Sequence, residues 1–169
     1  MDSGPILGHV TQLVHPKDTS GALLARLADT GSHLLRQTLD AVEAGMITPI
    51  AQHHDQATYA PKLQKSDSRI DWHLPAIEID RRIRAMTPKP GAWTTMMLNG
   101  QESLLSIGPV SPNRDIQLDP GAVFMIDKGV FVGSANYALE LSLIKPPGKK
   151  FMLGTDWMRG LRADEVTFF

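Results

Sequence analysis

The sequence predicts an α/β segment followed by a small antiparallel β-barrel. Apolar residues recur at helical spacing near the start of the chain, after a short stretch that alternates like a strand. From residue 91 onward, short apolar runs are separated by turn residues, which is typical of a small all-β domain. A polar region of low periodicity separates these two parts. We therefore divide the 169 residues into an α/β segment at 1–46, a linker at 47–72 and a barrel domain at 73–169.

The α/β segment opens with a predicted strand and continues as helix. Residues 9–14 alternate apolar and polar side chains, as a half-buried strand does. Thr19 and Ser20 are suitable N-cap residues for the helical run that follows. Gly31 divides the leucines into two groups and Gly45 ends the second group, so the pattern fits two helices or one interrupted helix. Such a segment cannot bury both of its faces by itself.

The predicted linker is rich in His, Gln, Asp and Lys. Its second half, residues 59–72, reads YAPKLQKSDSRIDW. His53, His54 and Asp55 are adjacent in a loop and lack a distant fourth ligand, so we interpret them as linker polarity and predict no metal site.

The barrel domain begins with a helix predicted from Leu74 to about Ala85, which Pro88 and Pro90 end. Asn99-Gly100 is a strong signal for a two-residue hairpin. Trp93, Met96 and Met97 are expected to fill the barrel core. The predicted strands are 92–98, 104–110, 122–126, 130–132 and 138–144, with a closing helix at 154–162.

Composition excludes several classes of protein. The absence of cysteine rules out disulfides and Cys-ligated zinc, and a run of about 18 apolar residues, as a membrane span requires, is missing. A monomeric cytoplasmic protein is the simplest expectation. The formal net charge of −1 hides two basic segments, 56–90 with net +3 and 143–162 with net +4. Localised positive charge on a neutral protein fits a polyanion-binding surface.

Several motifs carry a resemblance to one enzyme family. The order and spacing of these motifs, which are given below, resemble those of the methionyl-tRNA formyltransferases. These enzymes transfer a formyl group from 10-formyltetrahydrofolate to the amino group of methionine on initiator tRNA. The resemblance implies a Rossmann-like catalytic domain, of which residues 1–46 are the C-terminal remnant, joined by the linker to an OB-like barrel that binds tRNA. The matching stretches are DSGPIL (2–7), DTSGALLARLADTG (18–31), YAPKL (59–63), RIDW (69–72), RIRAMTPKPGAW (82–93), PGAVFMIDKGVFV (120–132) and LIKPPGKKFMLGTDWMRG (143–160).

The same resemblance implies an incomplete active site. The family's catalytic group is an Asn, a His two residues later and an Asp in a D-x-G segment, and Asp2 stands at the Asp position. Each asparagine of this chain lacks a His two residues later. Formyl transfer passes through a tetrahedral oxyanion, and each lost oxyanion donor costs about 10²–10³ in rate. We therefore expect this chain alone to be inactive and not to bind 10-formyltetrahydrofolate tightly.

The basic residues within the motifs are candidates for tRNA contact. Lys and Arg at phosphates supply affinity and salt dependence but little sequence specificity. Arg81 and Arg84, three residues apart on one predicted helix, can flank one groove. Arg82 and Arg84 have a structural alternative, which is pairing with Asp71 or Glu78. The predicted tRNA-binding set is Lys62, Lys65, Arg69, Arg81, Arg84, Lys149 and Lys150.

Three hypotheses remain open at the level of sequence. The chain is the tRNA-binding portion of a methionyl-tRNA formyltransferase, a tRNA-binding module without catalysis, or a fragment of a related formyltransferase that acts on an amino sugar. The closeness of the motifs at 82–93 and 143–160 favours the tRNA enzyme over the amino-sugar enzyme.

Overall fold

The computed structural model describes residues 3–98, 100–161 and 166–169, with residue 98 described by its backbone only. The chain divides into two compact units, Met1–Lys62 and Leu63–Phe169. Asp2, the predicted counterpart of a catalytic carboxylate, lies outside the described residues.

One long helix dominates the first unit. Helix α1 spans Ser20–Glu43, and the Thr19 side chain caps it by accepting a hydrogen bond from the Ala22 backbone N–H at 3.2 Å. The helix passes through Gly31 without a break, so the predicted interruption is wrong. A single glycine inside a helix costs only about 1 kcal/mol, which the flanking helix formers can offset.

The predicted strand at residues 9–14 does not form. Within the described part of this unit, strand-like pairing is limited to a bridge between Ile6 and Ile50, with N–H···O=C distances of 2.8 and 2.9 Å. Alternation alone is insufficient, because a strand also needs a neighbouring edge to accept its backbone hydrogen bonds. No described residue between 3 and 62 is buried.

The second unit begins with a 3₁₀ helix and a short α-helix. The 3₁₀ helix covers Lys65–Ser68, and α2 covers Ala76–Met86, which confirms the helix predicted from residue 74. The backbone N–H of Ala76 donates to Oδ1 of Asn136 at 3.0 Å, which satisfies one unpaired donor of the first turn. The inward face of α2 buries Ala76, Ile79 and Ile83.

Among the described residues that follow, the structure has nine strands and a closing helix. The five predicted strand regions all contain strands, and helix α3 at Gly154–Leu161 confirms the predicted closing helix. Two of the predicted strands are each divided into two, and two very short strands went unpredicted. In chain order, β1 to β9 are Trp93–Leu98, Gln101–Ile107, Val110–Asn113, Ala122–Ile126, Gly129–Val132, Ala138–Leu141, Leu143–Lys145, Met152–Leu153 and Val166–Thr167.

The expectation of a closed OB-like barrel is not confirmed. Among the described residues, the strands form a four-stranded sheet in the order β1-β2-β7-β8 and a five-stranded sheet in the order β3-β6-β5-β4-β9. Neighbouring strands in both sheets are antiparallel, and β1 pairs with β2 up to Leu98 and Gln101, as the predicted hairpin requires. Asn99 of the predicted turn lies outside the described residues. A bridge between Met96 and Phe168 joins the two sheets at one seam, where Thr95 and Phe169 also exchange backbone hydrogen bonds.

The core of the second unit includes part of the predicted linker. Ile70 and Trp72 are 8% and 3% exposed, and the Trp72 ring centroid lies 5.6 Å from that of Phe168. The indole N–H of Trp72 donates to Oγ1 of Thr94 at 2.9 Å. Ile70 and Trp72 therefore pack as core, while Asp71 between them is exposed.

The predicted core methionines divide between the two faces of β1. Met96 is buried, as expected, but Met97 is 50% exposed, because successive side chains on a strand point to opposite faces. Trp93 is only partly buried, so the prediction that it fills the core is also wrong.

Candidate nucleic-acid interface

Two predicted tRNA-binding residues meet at one aromatic ring in the second unit. Nζ of Lys65 and Cζ of Arg69 each lie 5.8 Å from the ring centroid of Trp93. Cations at this distance are attracted by the ring quadrupole. We call Lys65, Arg69 and Trp93 the Trp93 cluster. It presents two exposed cations on a rigid aromatic support.

Local hydrogen bonds fix the Trp93 cluster in place. The indole N–H of Trp93 donates to the Lys65 carbonyl oxygen at 2.8 Å, and the Ser68 hydroxyl donates to the same oxygen at 2.8 Å. A capping box between Gln64 and Asp67 closes the first turn of the 3₁₀ helix. The Ile70 backbone N–H then donates to the Trp93 carbonyl oxygen at 2.9 Å. The backbone that carries both cations is therefore tied to β1.

Arg69 lines two concave surfaces of the second unit. One is a small cleft that Asp67 and Arg82 also line. The other is an open cavity of about 600 Å³ that Trp72, His73 and Phe169 also line. Because Arg69 is exposed, it is accessible to an extended anionic ligand such as a nucleic-acid backbone.

The arginines of α2 differ in availability. Arg81 is exposed. The Arg84 guanidinium donates to the Asp80 carboxylate at 3.0 Å, and the two side chains are 15% and 10% exposed. Arg82 pairs with Glu78 at 2.8 Å, as one alternative from sequence anticipated, although Arg84 selects Asp80 rather than Asp71 or Glu78. Arg84 is thus largely covered, whereas Arg81 projects into solvent.

The remaining predicted residues are not among the three residues of the Trp93 cluster. Lys149 and Lys150 are exposed on the turn between β7 and β8, where the Lys149 N–H donates to the Pro146 carbonyl at 3.1 Å. Lys62 is exposed and belongs to the first unit. Of the seven predicted residues, the structure brings Lys65 and Arg69 together at Trp93.

The Asp18 carboxylate, whose pKa is shifted, lies just before the start of α1. In the first unit, the Arg26 guanidinium donates to the Asp18 carboxylate at 2.6 Å and the His15 backbone N–H donates to it at 2.7 Å. These bonds hold the pKa of Asp18 well below its usual range, the Arg26 bond contributing most, and the same bond raises the pKa of Arg26. The pair fixes the entry of the chain into α1.

Two further properties bear on function. Within the described ranges, no group of three or more His, Cys, Asp or Glu side chains could hold a metal ion. The described helices also include none that is long and apolar enough to cross a membrane.

Comparison with known proteins assigns the class. The profile of the family described as "Formyl transferase, C-terminal domain" matches residues 62–162, the part that carries the Trp93 cluster. The chain therefore belongs to the formyl transferase family.

Its similar relatives are methionyl-tRNA formyltransferases, which confirms the resemblance drawn from the motifs. The enzyme of Arthrobacter sp. (strain FB24) is 47% identical over 170 residues, covering 100% of this chain and 54% of the relative. The enzyme of Mycobacterium sp. (strain KMS) is 44% identical over 164 residues, covering 97% of this chain and 52% of the relative. The chain thus spans about half the length of the curated relatives it matches.

Solved structures with the same fold come from HypX of Aquifex aeolicus. One variant superposes with a TM-score of 0.72 at 18% identity, covering 95% of this chain and 29% of HypX. HypX in complex with tetrahydrofolic acid also gives 0.72, at 16% identity, covering 99% of this chain and 32% of HypX. At this identity the likeness concerns the fold alone.

Sequence reasoning missed Trp93 as part of this surface, although a signal was present. Its neighbours Ala92 and Thr94 are 2% and 0% exposed. In a strand, a residue between two inward-facing residues points the other way. Ala92 is small and Thr94 is polar, so the sequence does not mark these two positions as inward-facing.

Proposed function

We propose that this chain supplies the tRNA-binding part of a methionyl-tRNA formyltransferase and that its partner is initiator methionyl-tRNA. The observation that carries the proposal is the Trp93 cluster, which holds two exposed cations within the family-matched domain. The activity of the whole protein is formyl transfer from 10-formyltetrahydrofolate to the methionine amino group. We also propose that the chain is a cytoplasmic monomer, with the boundaries 1–46, 47–72 and 73–169 as its functional division.

The Trp93 cluster is suited to phosphate contact. A nucleic-acid backbone is recognised by cations whose positions match successive phosphates, and each neutralised phosphate releases counterions. Trp93 would act as a positioning residue, because its ring restrains Lys65 and Arg69 and lowers the entropy they lose on binding. Arg81, Lys62, Lys149 and Lys150 would extend the positive surface. Arg84, held by Asp80, would contribute mainly through the stability of α2.

The residues present do not fit a formyl-folate pocket. Every described residue between 3 and 62 is at least partly exposed, so the described part of the first unit provides no buried pocket wall. The sequence also lacks the Asn-x-His pair. We therefore expect catalysis to need polypeptide beyond these residues, and Asp2 to be insufficient alone.

Salt-dependent tRNA binding tests the proposal. Fluorescence anisotropy with labelled initiator tRNA, at several NaCl concentrations, should show affinity that falls steeply with salt. Lys65→Gln and Arg69→Gln should each weaken binding several-fold and reduce the magnitude of the salt slope by about 1. Trp93→Leu should weaken binding with little change in slope, because it removes no charge.

A matched control is available on the same unit. Arg114 is exposed, and its Cζ lies 5.9 Å from the Tyr137 ring centroid, which reproduces the cation–aromatic geometry outside the predicted set. Arg114→Gln should leave tRNA affinity nearly unchanged. Absence of binding at low salt, or equal losses for Arg114→Gln and Arg69→Gln, would remove the proposal.

A tRNA-binding module without catalysis is the second candidate. The core of the second unit favours it, since every residue of the described core cluster belongs to that unit. A formylation assay with initiator methionyl-tRNA and 10-formyltetrahydrofolate separates activity from binding. We expect turnover at the rate without protein, and turnover well above that rate would overturn the expected inactivity.

A further inference from the structure

The open cavity that Arg69 lines has the size and the lining of a ligand site. Its volume of about 600 Å³ lies within the range of roughly 300–1,000 Å³ that small-molecule pockets occupy in proteins. Ile70 and Trp72 line it and are buried. Arg69, Asp71 and His73, which alternate with them along the chain, also line it and are exposed. The lining therefore combines apolar and polar groups, which suits a ligand that has both. We call this cavity the Arg69 cavity.

The polar groups of the Arg69 cavity can bind an anion and a hydrogen-bond donor. The Arg69 guanidinium presents its N–H donors in a planar fork that matches a phosphate. The imidazole of His73 can add a further N–H donor. Oδ1 of Asp71 accepts a hydrogen bond from the His73 backbone N–H at 3.0 Å, and a carboxylate has about four lone-pair sites. Asp71 can therefore also accept a hydrogen bond from a ligand.

A half-exposed aromatic residue completes the lining. Phe169 lines the Arg69 cavity and is 52% exposed. Its backbone N–H donates to the Thr95 carbonyl at 2.8 Å, and its carbonyl accepts from the Thr95 N–H at 3.4 Å, so the backbone that carries the ring is held against β1. Sites for single-stranded nucleic acid combine cations along the phosphates with aromatic rings on which bases stack. Phe169, Arg69 and Asp71 thus match the base, the phosphate and the base edge of a nucleotide.

Two other concave surfaces of the second unit lack this combination. An open cavity of about 490 Å³ is lined by Asp119, and the described residues that line it include no lysine, arginine or histidine. A cavity of about 200 Å³ is lined by Phe151, but its volume is below the range of ligand pockets. Nζ of Lys145 already lies over the Phe151 ring, 6.0 Å from its centroid. The Arg69 cavity is therefore the better match for a nucleotide.

We infer that the Arg69 cavity binds one unpaired nucleotide of an RNA whose neighbouring phosphates contact the Trp93 cluster. Arg69 belongs to both surfaces and holds the phosphate, Phe169 stacks on the base, and Asp71 accepts from an exocyclic amino group of the base. The nucleotide is unpaired, because a base inside a helix offers neither a free face nor a free Watson–Crick edge. This inference rests on the proposed function, since it adds a nucleotide site to the same tRNA-binding surface.

The contact with Asp71 predicts a preference among bases. Cytosine carries an exocyclic amino group that donates to a carboxylate, whereas uracil carries a carbonyl oxygen at that position. Oligo(C) and oligo(U) have otherwise similar rings, so their comparison isolates this hydrogen bond. We expect the chain to bind oligo(C) several-fold more tightly than oligo(U). Asp71→Asn should abolish the preference, because an amide both donates and accepts, and its oxygen can still accept from the His73 N–H.

Short oligomers test the Arg69 cavity on the full 169-residue chain. Fluorescence anisotropy with a labelled oligo(C) pentamer measures the affinity at several NaCl concentrations. Phe169→Ala should weaken binding at least about 5-fold, the lower limit for one base stacked on an aromatic side chain. The salt slope should stay unchanged, because the substitution removes no charge. Phe151→Ala is the matched control: Phe151 is 50% exposed and lies outside the lining of the Arg69 cavity, so its loss should leave the affinity unchanged.

Photocrosslinking keeps the test decisive if Phe169→Ala unfolds the second unit. An oligo(C) pentamer with one 5-iodocytidine is crosslinked to the unsubstituted chain, and the crosslinks are mapped by peptide mass spectrometry. We expect them at Phe169 or His73. Crosslinks confined to residues outside the lining of the Arg69 cavity overturn the inference. Circular dichroism and urea denaturation establish which variants fold.

Initiator tRNA binding, measured on the same samples, separates this inference from the proposed function. If the chain binds tRNA but Phe169→Ala and Phe151→Ala bind oligo(C) equally well, only the inference fails. If oligo(C) binding depends on Phe169 but initiator tRNA does not bind at low salt, only the proposed function fails. Absence of oligo(C) binding at low salt also overturns the inference. Free CMP that binds as tightly as oligo(C) and does not compete with tRNA overturns it too, because the occupant is then a free nucleotide.

Discussion

Helices α1 and α2 are both amphipathic, but only α2 buries residues of its apolar face. Helix α1 has 24 residues and buries none of them, whereas α2 has 11 residues and buries four. The difference lies in the surface available to each helix, since α2 packs in the core of the second unit. Periodicity predicts which face a helix will offer, but only a partner surface turns that face into core.

The largest expected contrast between the units comes from truncating one apolar residue in each. Trp72→Ala removes a ring that is 3% exposed and packs against Phe168, so it should destabilise the second unit by about 3–5 kcal/mol. Leu35→Ala, at 60% exposure, should change stability by about 0.5 kcal/mol or less. Urea denaturation followed by tryptophan fluorescence and far-UV circular dichroism measures both.

Trp72→Phe refines this comparison if Trp72→Ala fails to fold. It keeps most of the packing and loses the hydrogen bond to Thr94, which should cost about 1–3 kcal/mol because the hydroxyl loses a partner. A large effect of Leu35→Ala in the isolated chain would mean that α1 is already covered, contrary to its exposure.

The second contrast concerns two ion pairs on α2. Asp80 and Arg84 are about nine-tenths buried as side chains, while Glu78 and Arg82 are half exposed. Asp80→Asn should cost about 2–3 kcal/mol, because it leaves a covered guanidinium poorly paired. Glu78→Gln should cost about 0.5 kcal/mol or less. Thermal unfolding measures both costs. If they are equal, burial does not determine how much each ion pair stabilises the protein.

The smallest expected effect concerns pH and the first unit. Because the folded-state pKa of Asp18 lies below its unfolded value, the Asp18–Arg26 pair contributes stability above about pH 4 and loses it as the pH falls further. Asp18→Asn should remove this acid-dependent loss of helix signal. Circular dichroism at 222 nm between pH 7 and pH 2 tests this. An unchanged acid profile in Asp18→Asn would contradict the assignment.

Sequence reasoning located most helices and strands of the second unit because their signals are local. The hairpin at 99–100, the helix after Pro75 and the closing helix each depend on turn or capping residues and a short periodic run. Strands β8 and β9 have two residues each, too few for any periodic signal. One predicted strand divides into β2 and β3 at residues 108–109, where Gly108 lies so close to Leu143 that a side chain on Gly108 would collide with it. This close approach is a tertiary contact and has no local signal in the sequence.

The candidate interface was predicted in part. Charge and motif position identified Lys65 and Arg69, since basic residues are visible in sequence. The burial of Ile70 and Trp72 was not predicted, although they alternate with Arg69, Asp71 and His73 as a half-buried extended segment does. The pairing of Arg84 with Asp80 could be proposed from the four-residue spacing, but its burial depends on how α2 docks.

The seam between the two sheets has a consequence for the order in which the chain folds. Thr94 and Phe169 are 75 residues apart in sequence, yet the Thr94 hydroxyl donates to the Phe169 carbonyl at 3.0 Å, next to the ring of Phe168. Contacts of such long range form slowly because a large loop must close first. During synthesis α1 can form from its own local hydrogen bonds, whereas the seam cannot close until Phe168 and Phe169 have left the ribosome. Until the seam closes, the ring of Phe168 lacks its contact with Trp72, so this part of the nascent chain exposes apolar surface of the kind that aggregates.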